Sequence, residues 1–259
     1  MSFLQLAKKV SVLALVLAAP AACLADIAVT AEAPGVQSSQ VAGVTTMNFD
    51  FPAYAIGSYT NLTSPIGTYT AASPGLKING PDTFGGANQT QYMAVGSQSA
   101  PTTVVNLALS GPMAYFGLYW GAVDAQNELQ FKSGSTVIAK FDAASVLNFL
   151  DTLPSGTKSQ YFGNPNTNPK VNTSEPYLYL NFFGTNGTTF DSIVFVNKNT
   201  GTGFESDNHS VRVSPVTPTG TPVGVIPVPE PSSVLLAGIG LVMAAGQAWR
   251  SRRNREVAA

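Results

Sequence analysis

The central part of the chain alternates short runs of β-branched and aromatic residues with clusters of Gly, Pro, Ser and Asn. Runs of this kind, bounded by turn residues, read as β-strands. They predict strands at residues 45–51, 91–95, 102–109, 113–120, 128–132, 135–141, 177–183, 189–196 and 204–213. Ser110-Gly111-Pro112 and Ser133-Gly134 each stand between two runs and predict tight hairpins. Gly184-Thr185-Asn186-Gly187 separates a further pair. Within 189–196, Phe190, Val194 and Val196 share one parity and Ile193 and Phe195 the other, the pattern of a central strand covered on both faces. One helix is expected over 143–150, with Asp142 placed to cap it. Residues 26–45 are small and polar and predict a loose or edge segment. Residues 214–227, with Pro215, Pro218, Pro222 and Pro227 among Thr, Val and Gly, predict an extended spacer. Many short strands with little helix imply an all-β fold, an antiparallel, jelly-roll-like β-sandwich over residues 26–213.

The two ends are patterned differently. Residues 1–25 have the three parts of a secretory signal: Lys8 and Lys9, an apolar run at 10–19 broken by Ser11, and small residues Cys23 and Ala25 suited to cleavage before Asp26 by signal peptidase. A retained anchor helix and lipid attachment at Cys23 are the alternatives, though Pro20 stands where a lipid-attachment motif expects Leu. Cys23 is the single cysteine, so cleavage leaves no thiol for disulfides, zinc or nucleophilic catalysis. At the other end, Val228-Pro229-Glu230-Pro231-Ser232-Ser233 leads into an apolar stretch at 234–249, closed by Arg250, Arg252, Arg253 and Arg255. A helix over 234–249 is roughly 24 Å long, short of the roughly 30 Å hydrocarbon core. The arginines should stay on the cytoplasmic side and stop it there. Pro229 and Pro231 keep the preceding backbone extended.

This three-part end resembles the PEP-CTERM sorting signal, with Pro229-Glu230-Pro231 as the motif. The resemblance implies processing by exosortase, an inner-membrane enzyme of Gram-negative bacteria. It implies transient anchoring in the inner membrane by one short transmembrane helix, then release to the cell surface or the extracellular polysaccharide matrix. A plain single-span anchor is the alternative. Two internal segments carry a second resemblance. Trp120-Gly121-Ala122-Val123-Asp124-Ala125-Gln126-Asn127 and Gly203-Phe204-Glu205-Ser206-Asp207-Asn208-His209 are similar to a Trp-Gly-Ser-x-Asp-x-x-Asn pattern and a closing Phe-Glu-x-Asp-Asn strand shared by a group of exosortase-sorted surface proteins. Ala122 departs from the Ser of that pattern. The resemblance implies a β-sandwich and no particular activity.

Composition narrows the function. Only 10% of the 259 residues are charged. Outside the two ends there are seven basic and twelve acidic residues, a balance of about −5 that argues against nucleic-acid binding. Asp124, Asn127, Glu205, Asp207 and Asn208 are short oxygen-bearing side chains at strand ends; they suit Ca²⁺ as a candidate cation, or equally serve as turn formers. The one histidine, His209, would have to serve any Ser-His-Asp hydrolase. Tyr54, Tyr59, Tyr69, Tyr92, Tyr161 and Tyr177 permit sugar stacking, or fill the core and rim of a sandwich. The readings that follow are a structural or adhesive protein of the cell surface or biofilm matrix, a carbohydrate-binding module acting on the exopolysaccharide, and a secreted hydrolase. The first leads, and no enzymatic activity is expected.

Overall fold

The computed structural model describes residues 26–228, apart from 51, 74, 97–102 and 200. The signal segment, the sorting motif from Pro229 onward and the arginine cluster lie outside the described residues. Among the described residues fifteen strands form two antiparallel sheets. In chain order they are β1 (Asp26–Ala31), β2 (Thr45–Met47), β3 (Gly57–Tyr59), β4 (Asn61–Ser64), β5 (Gly67–Ala71), β6 (Leu76–Asn79), β7 (Tyr92–Gly96), β8 (Val104–Met113), β9 (Tyr115–Gly121), β10 (Asn127–Ser133), β11 (Thr136–Asp142), β12 (Leu178–Thr185), β13 (Phe190–Asn197), β14 (Gly203–Arg212) and β15 (Thr221–Pro227). The larger sheet runs β15-β1-β12-β9-β14-β7-β6-β3, with β2 also on β14; the smaller runs β11-β10-β13-β8-β5-β4. The chain is therefore an all-β sandwich.

The core lies between the sheets. Phe116, Leu118, Trp120, Leu180, Phe182 and Phe204 of the larger sheet face Leu107, Leu129, Phe131, Ile193 and Phe195 of the smaller. Rings interlock, with Phe131 and Phe182 centroids 4.8 Å apart and Trp120 stacked on Phe204 at 4.5 Å. Truncating one such ring to Ala costs about 3–5 kcal/mol. As expected from its two apolar parities, β13 is central, paired with β10 and β8. The β10–β11 hairpin turns at Ser133-Gly134, where Gly134 has φ 58°. Helix α1 (Ala143–Asp151) follows it, and the Asp142 side chain accepts from the Ser145 N–H at 2.9 Å.

Several local expectations are corrected. Ser110-Gly111-Pro112 is not a reversal. β8 runs through it to Met113, and the chain then crosses to β9 in the other sheet, with the Ala114 N–H donating to the Arg212 carbonyl. The turn at Thr185–Thr188 likewise carries the chain from β12 in one sheet to β13 in the other. Turn residues mark where the chain bends, and the choice between a hairpin and a change of sheet lies with the surrounding layers. Residues 26–31 are not loose: β1 is paired on both sides, by β12 and β15. The four short strands β3–β6 had no signal in the sequence strong enough to mark them.

The expected spacer also belongs to the domain in part. Val216 packs on Tyr115, Phe183 and Val41, and β15 then pairs along β1, with Val223 and Ile226 against the main core and Val228 7% exposed. A chain cut after residue 213 should therefore be less stable than one cut after 228 by on the order of 3 kcal/mol, the transfer value of those side chains. It should also associate through the bared β1 edge. Urea unfolding and sedimentation of the two truncations check this.

Candidate functional site

The two distinctive segments, some eighty residues apart, are neighbours in the larger sheet. Ser206 pairs with Trp120, Glu205 with Gly121 and Asp207 with Tyr119. Phe204 points inward to Trp120, so by strand alternation Glu205 and Asp207 point outward. That outer face is itself covered. Tyr119, Tyr177, Tyr179, Ala122 and Ala87 form one buried cluster, and Val41, Tyr115 and Phe183 another. Tyrosine hydroxyls fasten the covering loops: Tyr177 donates to the Thr83 carbonyl and Tyr161 to the Glu32 carbonyl, both at 2.8 Å, and Tyr92 to Asp82 Oδ2 at 2.8 Å. Gly117 has no alternative under this layer, because a Cβ there would sit 2.3 Å from the Tyr115 hydroxyl.

Three of the five candidate cation ligands meet at Gly203. Asn127 Nδ2 donates to its carbonyl at 3.0 Å, while Asn127 Oδ1 accepts from the Asp124 N–H at 3.2 Å. The Gly203 backbone hydrogen-bonds the Asp124 carboxylate. Glu205 Oε1 lies 1.8 Å from where a Cβ on Gly203 would be, so any side chain there displaces the carboxylate. Glu205 is 2% exposed, and its Oε2 has no hydrogen-bond partner. The other two candidates lie further along β14 as turn formers. Asp207 accepts from the Ala87 N–H at 2.8 Å and the Asn208 N–H at 2.7 Å. Asn208, at φ 49°, makes the bulge and donates from Nδ2 to the Gln37 carbonyl at 2.8 Å. The five therefore do not form one shell. Among the described residues no three Asp, Glu, His or Cys side chains converge as a metal-ligand set.

Burial makes both carboxyls poor acids. Asp124 is pushed up to about 6 by burial, with Glu175 adding to it and the Gly203 hydrogen bond opposing. Glu205 is pushed well above the carboxylate range by burial first and by Asp124 second. A raised folded pKa means that the stability contributed by the neutral acid is complete below the unfolded pKa and is lost as pH rises through the folded one. For Asp124 that window runs from 3.8 to about 6. Glu205→Gln, which keeps the shape and removes the charge, should unfold at higher urea than wild type at pH 8. The gap should close toward pH 4; a gap independent of pH would refute the burial argument.

The bulge at Asn208 reverses the alternation, so His209 points inward. It is fully buried, stacked on Phe195 at 5.0 Å, with Phe49 and Phe116 around it. Its Nδ1 lies 2.8 Å from the Tyr69 hydroxyl, and its Nε2 has no partner. Asp207 is on the other face of the sheet, so the two form no catalytic pair. Of the six tyrosines weighed for sugar stacking, Tyr69, Tyr92, Tyr161 and Tyr177 are buried. They are core and latch residues. A polar cleft near Asp82, Asn164 and Asn166 has an exposed Phe84 beside it, yet its amides already bond one another and the backbone. Asn197 was not marked by the sequence. It is fully buried, ties β13 to the Val95 and Thr202 carbonyls through Nδ2, and had no neighbouring motif to flag it.

The opposite end of the larger sheet is where the terminal strands finish. Asp26, the first residue of β1, pairs with Pro227, the last of β15. The first residue of β1 and the last of β15 therefore lie side by side. Among the described residues no helix is long and apolar enough to cross a membrane.

The family model described as the PEP-CTERM protein-sorting motif matches residues 227–253. The chain thus carries this motif, which implies processing by exosortase and export to the cell surface with transient membrane anchoring. No curated protein and no solved structure matches the chain.

Proposed function

We propose that the chain is an exosortase-processed structural or adhesive protein of the cell surface or biofilm matrix. The observation that carries this reading is the PEP-CTERM segment beginning at residue 227, the last residue of β15. The domain is well suited to display: an interlocked aromatic core, tyrosine-latched loops, and the first residue of β1 beside the last of β15. The burial of four of the six tyrosines weakens the carbohydrate-module alternative, and the enclosure of His209 weakens a histidine-dependent hydrolase.

Fractionation tests the reading. An epitope inserted in the exposed Ser133-Gly134 turn stays with the domain whichever of its ends is processed. In wild-type cells the tagged protein should appear at the surface or in the matrix at the mass of the doubly processed chain. In cells lacking exosortase it should remain as a longer form in the inner membrane. Identical fractions in both would overturn the proposal. Loss of cell-to-cell adhesion on deletion of the gene supports the structural role, whereas retention of the mature domain on purified exopolysaccharide favours the carbohydrate module.

A further inference from the structure

The last strand before the sorting motif is folded into the domain, at one edge of the larger sheet. β15 is an edge strand, paired on one side only, by β1. Pro222 and Pro227 have no N–H to donate, and a register shift interrupts the ladder between Val29 and Thr30. Five of its seven residues are exposed, Val225 at 62%. A cleft of about 440 Å³ separates it from Phe141 and Phe149 beneath. What holds it are the ladder, Val223, Ile226 and Val228 against the core, and the Thr30 hydroxyl donating to the Thr219 carbonyl. The matched motif starts at residue 227, so its first two residues, Pro227 and Val228, are inside this docked segment.

An enzyme that cuts a backbone has to engage it as an extended segment with its hydrogen-bonding groups free, as in strand addition to a sheet edge. A motif that follows a long spacer offers such a segment at any time. Here the residues preceding Pro229 are already paired with β1 and partly buried. We infer that β15 is a strap that holds the start of the matched segment, Pro227 and Val228, against the folded domain, and that it must leave β1 before exosortase can cut. This rests on the sorting reading above and adds a regulation to it: processing is limited by local opening of one edge strand. Edge elements with few apolar contacts open far more readily than the whole fold, so the gate works without unfolding the sandwich. The pairing of Asp26 with Pro227 places the strap against the residue expected to begin the mature chain, so closure depends on the state of both ends.

A cross-link tests this in the full chain, in cells that contain exosortase. Ala28 and Val225 are directly paired, and Val225 is exposed. Directly opposed Cβ atoms lie near disulfide distance. With Cys23→Ala removing the one native thiol, Ala28→Cys with Val225→Cys should cross-link on export. The cross-linked fraction should stay at full length, and reductant should restore cleavage. The single-cysteine variants should be processed as wild type. Ile226→Ser, which removes one of the strap's apolar holds on the core, should be processed faster. Cleavage of the cross-linked form at the wild-type rate overturns the strap. Changing Pro229-Glu230-Pro231 to Ala-Ala-Ala separates the two ideas: if that variant is blocked while the cross-linked one is cut, the strap alone fails; if both are cut, the sorting reading fails with it.

Discussion

Replacing Pro229-Glu230-Pro231 by Ala-Ala-Ala is expected to abolish processing and to leave the full-length protein in the inner membrane. The motif match at 227–253 contains these residues. The two prolines fix φ and remove two backbone donors, which favours an extended backbone over a helix. Alanine removes that constraint and favours helix in its place. The apolar stretch and the arginines are unchanged, so anchoring should survive and only cutting should fail. Arg250, Arg252, Arg253 and Arg255 make the complementary prediction. Changing all four to Ser should let the short helix slip and weaken retention, because the cost of moving them through the bilayer is what stops it. Immunoblots of membrane and extracellular fractions read both. If the alanine variant reaches the surface at mature mass, the tail is an anchor and not a sorting signal.

His209 sets the second large effect, a loss of stability in acid. Burial pulls its pKa down to about 3, and its Nε2 faces the aromatic core without a partner. The folded state therefore refuses a proton that the unfolded chain accepts below about pH 6.5. A histidine depressed in this way leaves full stability above its unfolded pKa and loses it as pH falls, at about 1.4 kcal/mol per pH unit. At pH 4.5 the loss is roughly 3 kcal/mol. His209→Phe removes this titration. It also strands the Tyr69 hydroxyl, now 2.8 Å from Nδ1, a pH-independent cost of about 1–3 kcal/mol. The difference between variant and wild type should thus move by roughly 3 kcal/mol in the variant's favour between pH 7.5 and 4.5. Asp124, Glu205 and Asp207 titrate with the opposite sign and are common to both proteins, so they cancel in the difference. Urea unfolding at the two pH values measures it, and a constant difference would mean that His209 is not held neutral.

The reading of the sequence was strongest where one local pattern had one structural solution. Asp142 before an apolar run has little to do but cap α1, and Ser133-Gly134 between two short strands closes a hairpin. The two motif segments were recognisable as distinctive, and they are adjacent in the sheet. Their chemistry was less legible. An Asp beside an Asn is written the same way whether it binds a cation or the next backbone N–H, and in Asp207 and Asn208 it is the backbone. Whether the tyrosines pack or face solvent was open in the sequence for a related reason. A phenol is amphipathic, so its burial depends on whether a carbonyl or carboxylate lies within reach, and that comes from distant loops.

What the sequence by itself determined is the set of properties carried by short continuous stretches: an all-β chain, one capped helix, a motif and an arginine-closed tail in fixed order. These follow from local sterics, periodicity and transfer free energy, each of which acts over a few neighbouring residues. Only the tertiary structure decided which sheet each strand joins, that Gly111-Pro112 continues a strand instead of reversing it, and that the outer face of the larger sheet is roofed by tyrosine-latched loops. It alone placed His209 inside, because a single bulge at Asn208 switches the parity of β14. It alone turned an apparent spacer into β15, because a Pro- and Gly-bearing segment has no strand signal of its own. An edge strand takes its order from the neighbour whose hydrogen bonds it completes, and that neighbour, β1, lies almost two hundred residues earlier in the chain.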